Sequence, residues 1–126
     1  MKFRVGWIDT DASGRIHFTA VFRWLETAEM QLYEDLGLLE GSIRLPRRHL
    51  ETDYLLPLTF GDEIDVQLSV ERVGRTSINF TWQMLRDGEV AIAGRHTVVQ
   101  VDDDWRPDPI TGEARALLTA EEQQER

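Results

Sequence analysis

The hydrophobic period of this chain switches from two to about 3.6 and back to two, and that switch limits the folds open to it more than any other feature. Along "FTAVFRWLETAEMQLYEDLGLL" the apolar residues Val21, Leu25, Ala28, Leu32 and Leu36 recur at steps of three and four, with Phe22 widening the stripe. The spacing predicts one helix of about five turns. Its stop is Gly37, the residue type that most readily enters the left-handed conformation past a helix C-terminus. Before it, "KFRVGW" sets Phe3, Val5 and Trp7 against Lys2, Arg4 and Gly6 and predicts an opening strand. After it, "RHLETDYLL" reads as a strand ending at Pro57, and "FGD" turns the chain into the next. "EIDVQLSVERV" alternates through Ile64, Val66, Leu68 and Val70, and "TSINFTWQML" through Ile78, Phe80, Trp82 and Met84. "GRT" and "RDGE" are hairpin turns, Asp87-Gly88 being a strong two-residue signal. "VAIAGRHTVVQV" is apolar on both faces in parts, as a central or doubly covered strand is.

The order is strand, one long helix, then four strands in antiparallel succession. That is an α+β layout, with the helix segregated from an antiparallel sheet. At 126 residues the chain suffices for one core and is too short for two ordinary domains, so a single domain over residues 1–126 is expected. The tail holds an acidic, proline-bearing loop, "DDDWRPDPITGE", and then a short helix within about 112–126 that is expected to fray. A five-stranded sheet covered by one helix leaves its other face partly apolar, which predicts pairing with a second copy.

A net charge of −9 argues against a nucleic-acid partner, because the phosphate backbone requires a basic face. A small anion remains open, since Arg44, Arg47, Arg48 and Arg75 can make local positive spots on a negative protein. Solvated surface arginines are the plainer reading for most of them. No apolar run approaches the roughly 18 residues of a membrane helix, and "KFRVGWI" has no secretory pattern. There is no cysteine, which excludes disulfides, thiolate metal sites and cysteine nucleophiles and fits a reducing compartment. A cytoplasmic location is the expectation.

Between the first strand and the helix lies "DTDASGRI", which admits several chemistries. As a calcium loop, Asp9, Asp11, Ser13, Gly14 and Ile16 fall on five of the required positions, but Ala20 stands where a bidentate Glu is needed. As an aspartyl-phosphate site, Asp9 and Asp11 would need a parallel sheet with crossover helices, which the element order contradicts. A plain capping turn is the bland alternative. The remaining reading uses position: a carboxylate at the end of a strand, a few residues before a long helix, can meet backbone N–H groups at the positive end of the helix dipole. Carboxylate and oxyanion donors together are the minimum for attack on a carbonyl.

"VGWIDTDASGRIHFTAVFRWLETA" resembles the active-site segment of the hotdog-fold 4-hydroxybenzoyl-CoA thioesterase-like superfamily, where a strand leads into D-x-D-x-x-G and a long helix carrying R/K-[WF]-x-[DE]. "PLTFGDEIDVQLSVERVGRTSINFTWQMLRDGEVAIAGRHTVVQVD" resembles the rest of that sheet, with the G-D turn and the G-R-[TS]-S hairpin, so the likeness runs over roughly residues 2 to 110. The resemblance implies a hotdog fold, a curved antiparallel sheet around one central helix. It further implies homodimers or homotetramers, and hydrolysis of acyl-CoA thioesters with no metal and no cofactor, CoA being part of the substrate. On this resemblance Asp11 is the catalytic carboxylate, as nucleophile or general base, and the Phe18 backbone N–H is the oxyanion donor. Gly14 matches the family glycine, and Arg75, Thr76 and Ser77 match residues that touch CoA in some members.

Many relatives carry an aromatic residue followed by His, Tyr or Asn at the helix start, where this chain has His17 and then Phe18. His17 is therefore a candidate acid or base, with a capping or packing histidine as the alternative. Asp9 reads as structural, holding the loop through local backbone bonds. His49 and His96 read as packing, Trp24 and Trp82 as core or interface. Two other function classes stay open: a hotdog that binds acyl-CoA without turnover, and a calcium-responsive module.

Overall fold

The structure, a computed structural model, describes residues 1–39 and 44–122. β1 (Lys2–Arg4) leads through a 3₁₀ turn at Trp7–Asp9 into α1 (Ala20–Asp35), followed by β2 (Arg47–Tyr54), β3 (Glu63–Val73), β4 (Ser77–Arg86), β5 (Glu89–Val99) and α2 (Gly112–Ala120). The five strands form one antiparallel sheet in the order β1-β3-β4-β5-β2. Register shifts at Arg47/His49, Val70/Arg72 and Met84/Leu85 bend the strands. The sheet curves around α1 as the alternation and the single long stripe require.

Cross-strand pairs show which face is covered. Val66 faces Met84, Leu68 faces Trp82 and Val70 faces Phe80. Phe80 in turn faces His96, and Met84 faces Ile92. All of these are buried, and α1 adds Val21, Trp24, Leu25, Ala28 and Leu32 to the same core. Trp82 lies over Gly94, where a Cβ would come within 2.5 Å of the indole, so this strand position accepts only glycine. Trp24 and Trp82 are core residues, as their sequence setting suggested.

α1 ends where Gly37 takes φ of +72°. Leu38 N–H then donates to the Tyr33 carbonyl at 2.8 Å and Gly37 N–H to the Glu34 carbonyl at 2.9 Å, the paired bonds of a Schellman cap. The Asp87-Gly88 hairpin has positive φ at both residues, 52° and 79°, as a type I′ turn demands.

One expectation is corrected. The opening strand stops at Arg4: Trp7 belongs to the 3₁₀ turn and is 80% exposed, because the Asp9 carboxylate accepts the Gly6 N–H and folds the chain back. The C-terminal helix is tied to the sheet over 112–120, where Leu118 is fully buried and Arg115 donates to the Gly74 carbonyl at 2.9 Å; residues 123–126 lie outside the described residues. The face of the sheet turned away from α1 carries Leu85, Ala93 and Val99 and is otherwise polar. It presents Gln67, Ser69, Asn79, Thr81, Gln83, Arg95 and Thr97, the residues between the buried pairs. Among the described residues, no helix is long and apolar enough to cross a membrane.

Candidate active site

The segment from Asp9 to Phe18 is a tight hairpin laid against the start of α1. Thr10 bridges to Ile16, and the Asp11 N–H donates to the Arg15 carbonyl at 2.8 Å. Gly14 closes the turn with φ of +82°, a conformation that an L side chain adopts only under strain. The hairpin is fastened to the segment before β3 by the Ile16 N–H to the Leu58 carbonyl, 3.0 Å, and by a bridge from Arg15 to Thr59.

The two aspartates have opposite surroundings. Asp9 is buried; its carboxylate accepts from Gly6 N–H at 2.8 Å and from the Arg23 guanidinium, and its carbonyl accepts from His17 N–H at 2.7 Å. It ties together the 3₁₀ turn, the hairpin and α1. Arg23 and Trp24, the first two residues of the helix pattern, thus do structural work, one on Asp9 and one in the core. Asp11 is exposed, with Oδ1 accepting from the Ser13 hydroxyl at 2.5 Å and from the Ser13 N–H at 2.8 Å. These bonds, the hydroxyl's first, hold its carboxyl below the ordinary carboxylate value, with smaller help from the charges of His17 and Arg15. The Oδ2 oxygen has no partner among the described residues.

At the helix start, His17 Nδ1 lies 2.7 Å from the Thr19 hydroxyl and accepts the Thr19 N–H at 3.2 Å, so the ring is held in the turn that precedes α1. It also stacks on Phe18 with centroids 4.7 Å apart. The Phe18 N–H donates to nothing among the described residues, and the Phe18 carbonyl accepts from the Tyr54 hydroxyl at 2.6 Å. A carboxylate oxygen and a backbone donor are therefore both left open on one short hairpin, at the N-terminal end of a 16-residue helix.

Asp11, Gly14, His17 and Phe18 share one hairpin and the start of α1; Arg75, Thr76 and Ser77 are not brought to them within one chain. Those three form the β3–β4 hairpin, at the far end of an 11-residue strand whose length is roughly 35 Å. The Gly74 N–H donates to the Ser77 carbonyl at 2.7 Å, and the carbonyls of Arg75 and Thr76 accept from Ile110 and Gln100. Beside the hairpin is an open cleft of about 390 Å³ lined by Arg72, Arg75 and Arg115. No group of three His, Cys, Asp or Glu side chains that could hold a metal ion occurs among the described residues.

Sequence reasoning missed two residues. Glu29, on the inner face of α1 and 4% exposed, accepts from Arg47 at 2.7 Å and from the Tyr33 hydroxyl at 2.5 Å, and it lies 2.6 Å from His96 Nε2. The Trp82 indole N–H donates to the other nitrogen of His96 at 3.1 Å. Burial alone pushes the Glu29 carboxyl up, but His96, Tyr33 and Arg47 outweigh it and hold the group below its ordinary value. A signal existed, because Glu29 interrupts the apolar stripe at four residues from Leu25 and three from Leu32. Tyr54 had no signal, since its partner Phe18 is 36 residues away. His96 is in the core and His49 meets only Glu51 at the surface, both apart from the hairpin.

Residues 5–119 match the sequence profile of the thioesterase-like superfamily. The chain is 34% identical over 110 residues to a 1,4-dihydroxy-2-naphthoyl-CoA hydrolase of Prochlorococcus marinus, covering 75% of this chain and 70% of that relative. Among solved structures it superposes on a predicted thioesterase from Bacillus stearothermophilus with TM-score 0.89 and 26% identity, covering 98% and 96% of the two chains. A 1,4-dihydroxy-2-naphthoyl-CoA thioesterase from Synechocystis shares the fold with TM-score 0.86 at 16% identity, covering 94% and 93%.

Proposed function

This chain belongs to the thioesterase-like superfamily, and from that premise we propose that it hydrolyses an acyl-CoA thioester at the Asp11 hairpin. The observation that carries the reading is the pair of open groups there: Oδ2 of an ionised carboxylate and the unpartnered N–H of Phe18. The Phe18 N–H receives the carbonyl oxygen of the thioester and stabilises it as charge builds in the transition state. We take Asp11 as the nucleophile; direct attack requires the carboxylate in its ionised form. Oδ2 adds to the thioester carbon, CoA leaves as the thiolate, and water then cleaves the acyl–Asp11 anhydride to free acid and the carboxylate.

Two features support an aromatic acyl group. The 34% identical relative acts on a naphthoyl ester by its name, and Trp7, Phe18 and Phe60 stand exposed around the hairpin, with Trp7 and Phe60 edge-to-face at 5.9 Å. The arginines near Arg75 suit the phosphates of CoA, and their distance from Asp11 along β3 makes the hairpin of a second copy the one that meets the substrate. The functional unit in this reading is a homo-oligomer. CoA is part of the substrate, and the proposed chemistry calls on no metal.

The test is release of CoA, followed with a thiol reagent, from a panel of aromatic, short-chain and long-chain acyl-CoAs. With no cysteine in the chain, the protein contributes no thiol signal. Turnover strongest on the aromatic esters is expected. If none is hydrolysed while CoA esters raise the melting temperature, the protein is a binder and the catalytic reading is wrong.

A further inference from the structure

The bonds that shape the turn around Phe18 are nearly all made within the turn itself. The peptide unit that carries the Phe18 N–H also carries the His17 carbonyl, which accepts from Ala20 N–H at 3.0 Å, and the Thr19 N–H is held by the His17 ring. The backbone entering the turn is fastened by the His17 N–H to the Asp9 carbonyl, 2.7 Å, and the Ile16 N–H to the Leu58 carbonyl, 3.0 Å. Among the described residues one side-chain hydrogen bond reaches residues 17–19 from another part of the fold, and it comes from the Tyr54 hydroxyl to the Phe18 carbonyl at 2.6 Å.

Tyr54 is suited to that task by its place. It is the last residue of β2, paired with Ile92 on the face that α1 covers. Immediately after it, the N–H groups of Leu55 and Leu56 both donate to the Ala91 carbonyl, at 2.8 and 3.0 Å, which pins the strand end to β5. The phenol therefore extends from a fixed point of the sheet. Burial raises the pKa of its hydroxyl, so the proton it donates stays in place well into alkaline solution.

We infer that Tyr54 is a positioning residue for the hydrolysis: its hydroxyl holds the Phe18 carbonyl, one Cα away from the peptide unit that carries the Phe18 N–H, and so keeps that N–H where the oxyanion forms. The inference rests on the thioesterase reading above. An oxyanion donor acts only within a few tenths of an ångström of its proper place. Loosening this one lowers kcat, while substrate binding, spread over the rest of a CoA ester, is largely kept.

The experiment compares wild type, Tyr54→Phe and Asp11→Asn on 1,4-dihydroxy-2-naphthoyl-CoA, with melting temperatures recorded for each. Tyr54→Phe is expected to lower kcat about tenfold or more with KM within about twofold of wild type. A second protein carries 3,5-difluorotyrosine at position 54, a phenol that loses its proton at lower pH. Its kcat is expected to fall on the alkaline side where wild type stays level, which a merely structural role would not produce. Tyr54→Phe with kcat within twofold of wild type overturns the inference, and so does a level alkaline profile for the fluorinated protein, which decides the matter if Tyr54→Phe does not fold. If wild type itself releases no CoA from this ester or from the wider panel, the thioesterase reading has failed and takes the Tyr54 inference with it. Activity in wild type that is lost in Asp11→Asn and kept in Tyr54→Phe removes Tyr54 alone.

Discussion

Two residues beyond Asp11, a serine lowers the pKa of the carboxylate. The Ser13 hydroxyl and N–H both bond Oδ1, the hydroxyl being the larger cause of the lowered pKa. The sign follows directly: a depressed pKa keeps Asp11 ionised further into acid, so removing the hydroxyl must raise it. Ser13→Ala is expected to move the acidic limb of the kcat/KM profile to higher pH, with the plateau little changed; a pH-rate series on both proteins checks this. The two aspartates also show what local sequence can and cannot tell. Asp9 and Asp11 sit in one motif, two residues apart. Yet Asp9 is buried against Gly6 and Arg23, and Asp11 faces solvent. The structural place of Asp9 was legible from its local backbone bonds, whereas the choice of Asp11 for the chemistry came from the family resemblance and is a proposal. The Arg23 pairing that separates them spans 14 residues and needed the fold.

At the scale of elements, α1 is fixed to the sheet by more than its apolar stripe. Glu29 joins it to Arg47 on β2 and His96 on β5, while Tyr54 joins its N-terminal turn to the other end of β2. Removing one member of such a cluster leaves buried donors without their acceptor, and Glu29→Ala is expected to lower stability by about 3–5 kcal/mol, read from urea unfolding. The pH dependence has a definite sign. Glu29 has a folded-state pKa below its ordinary value of 4.5. Its contribution is therefore complete above the ordinary carboxylate range and is lost as pH falls through the lowered value. Wild type should lose melting temperature more steeply than Glu29→Ala across that acid window. The stripe itself was readable from Val21 to Leu32 and the stop from Gly37. What periodicity could not supply was a charged residue on the buried face, because its partners come from strands 18 and 67 residues away. The same blindness extended the first strand to Trp7, since alternation carries no information about the Asp9 carboxylate that bends the chain at Gly6.

For the molecule as a whole, the order of periods was enough to place one helix on one antiparallel sheet, and the superposition on thioesterase structures agrees with it. The outer face of the sheet carries Leu85, Ala93 and Val99 among polar residues, a small apolar area on which to rest self-association. Further exposed apolar surface lies around the hairpin, at Trp7, Ile8, Phe18, Leu55 and Phe60, and β2 is an eight-residue edge strand with no neighbour on its outer side among the described residues. Sedimentation is expected to give a dimer or tetramer, and a mass of one chain at assay concentrations contradicts the shared-site proposal. The central claim is that Asp11 reacts with a CoA thioester whose oxygen rests on the Phe18 N–H. Its most direct test is the rate of CoA release from 1,4-dihydroxy-2-naphthoyl-CoA by wild type and by Asp11→Asn, two proteins of nearly equal shape. A loss of about a hundredfold or more in kcat, with the melting temperature unchanged, is the predicted result; equal rates in the two proteins contradict it.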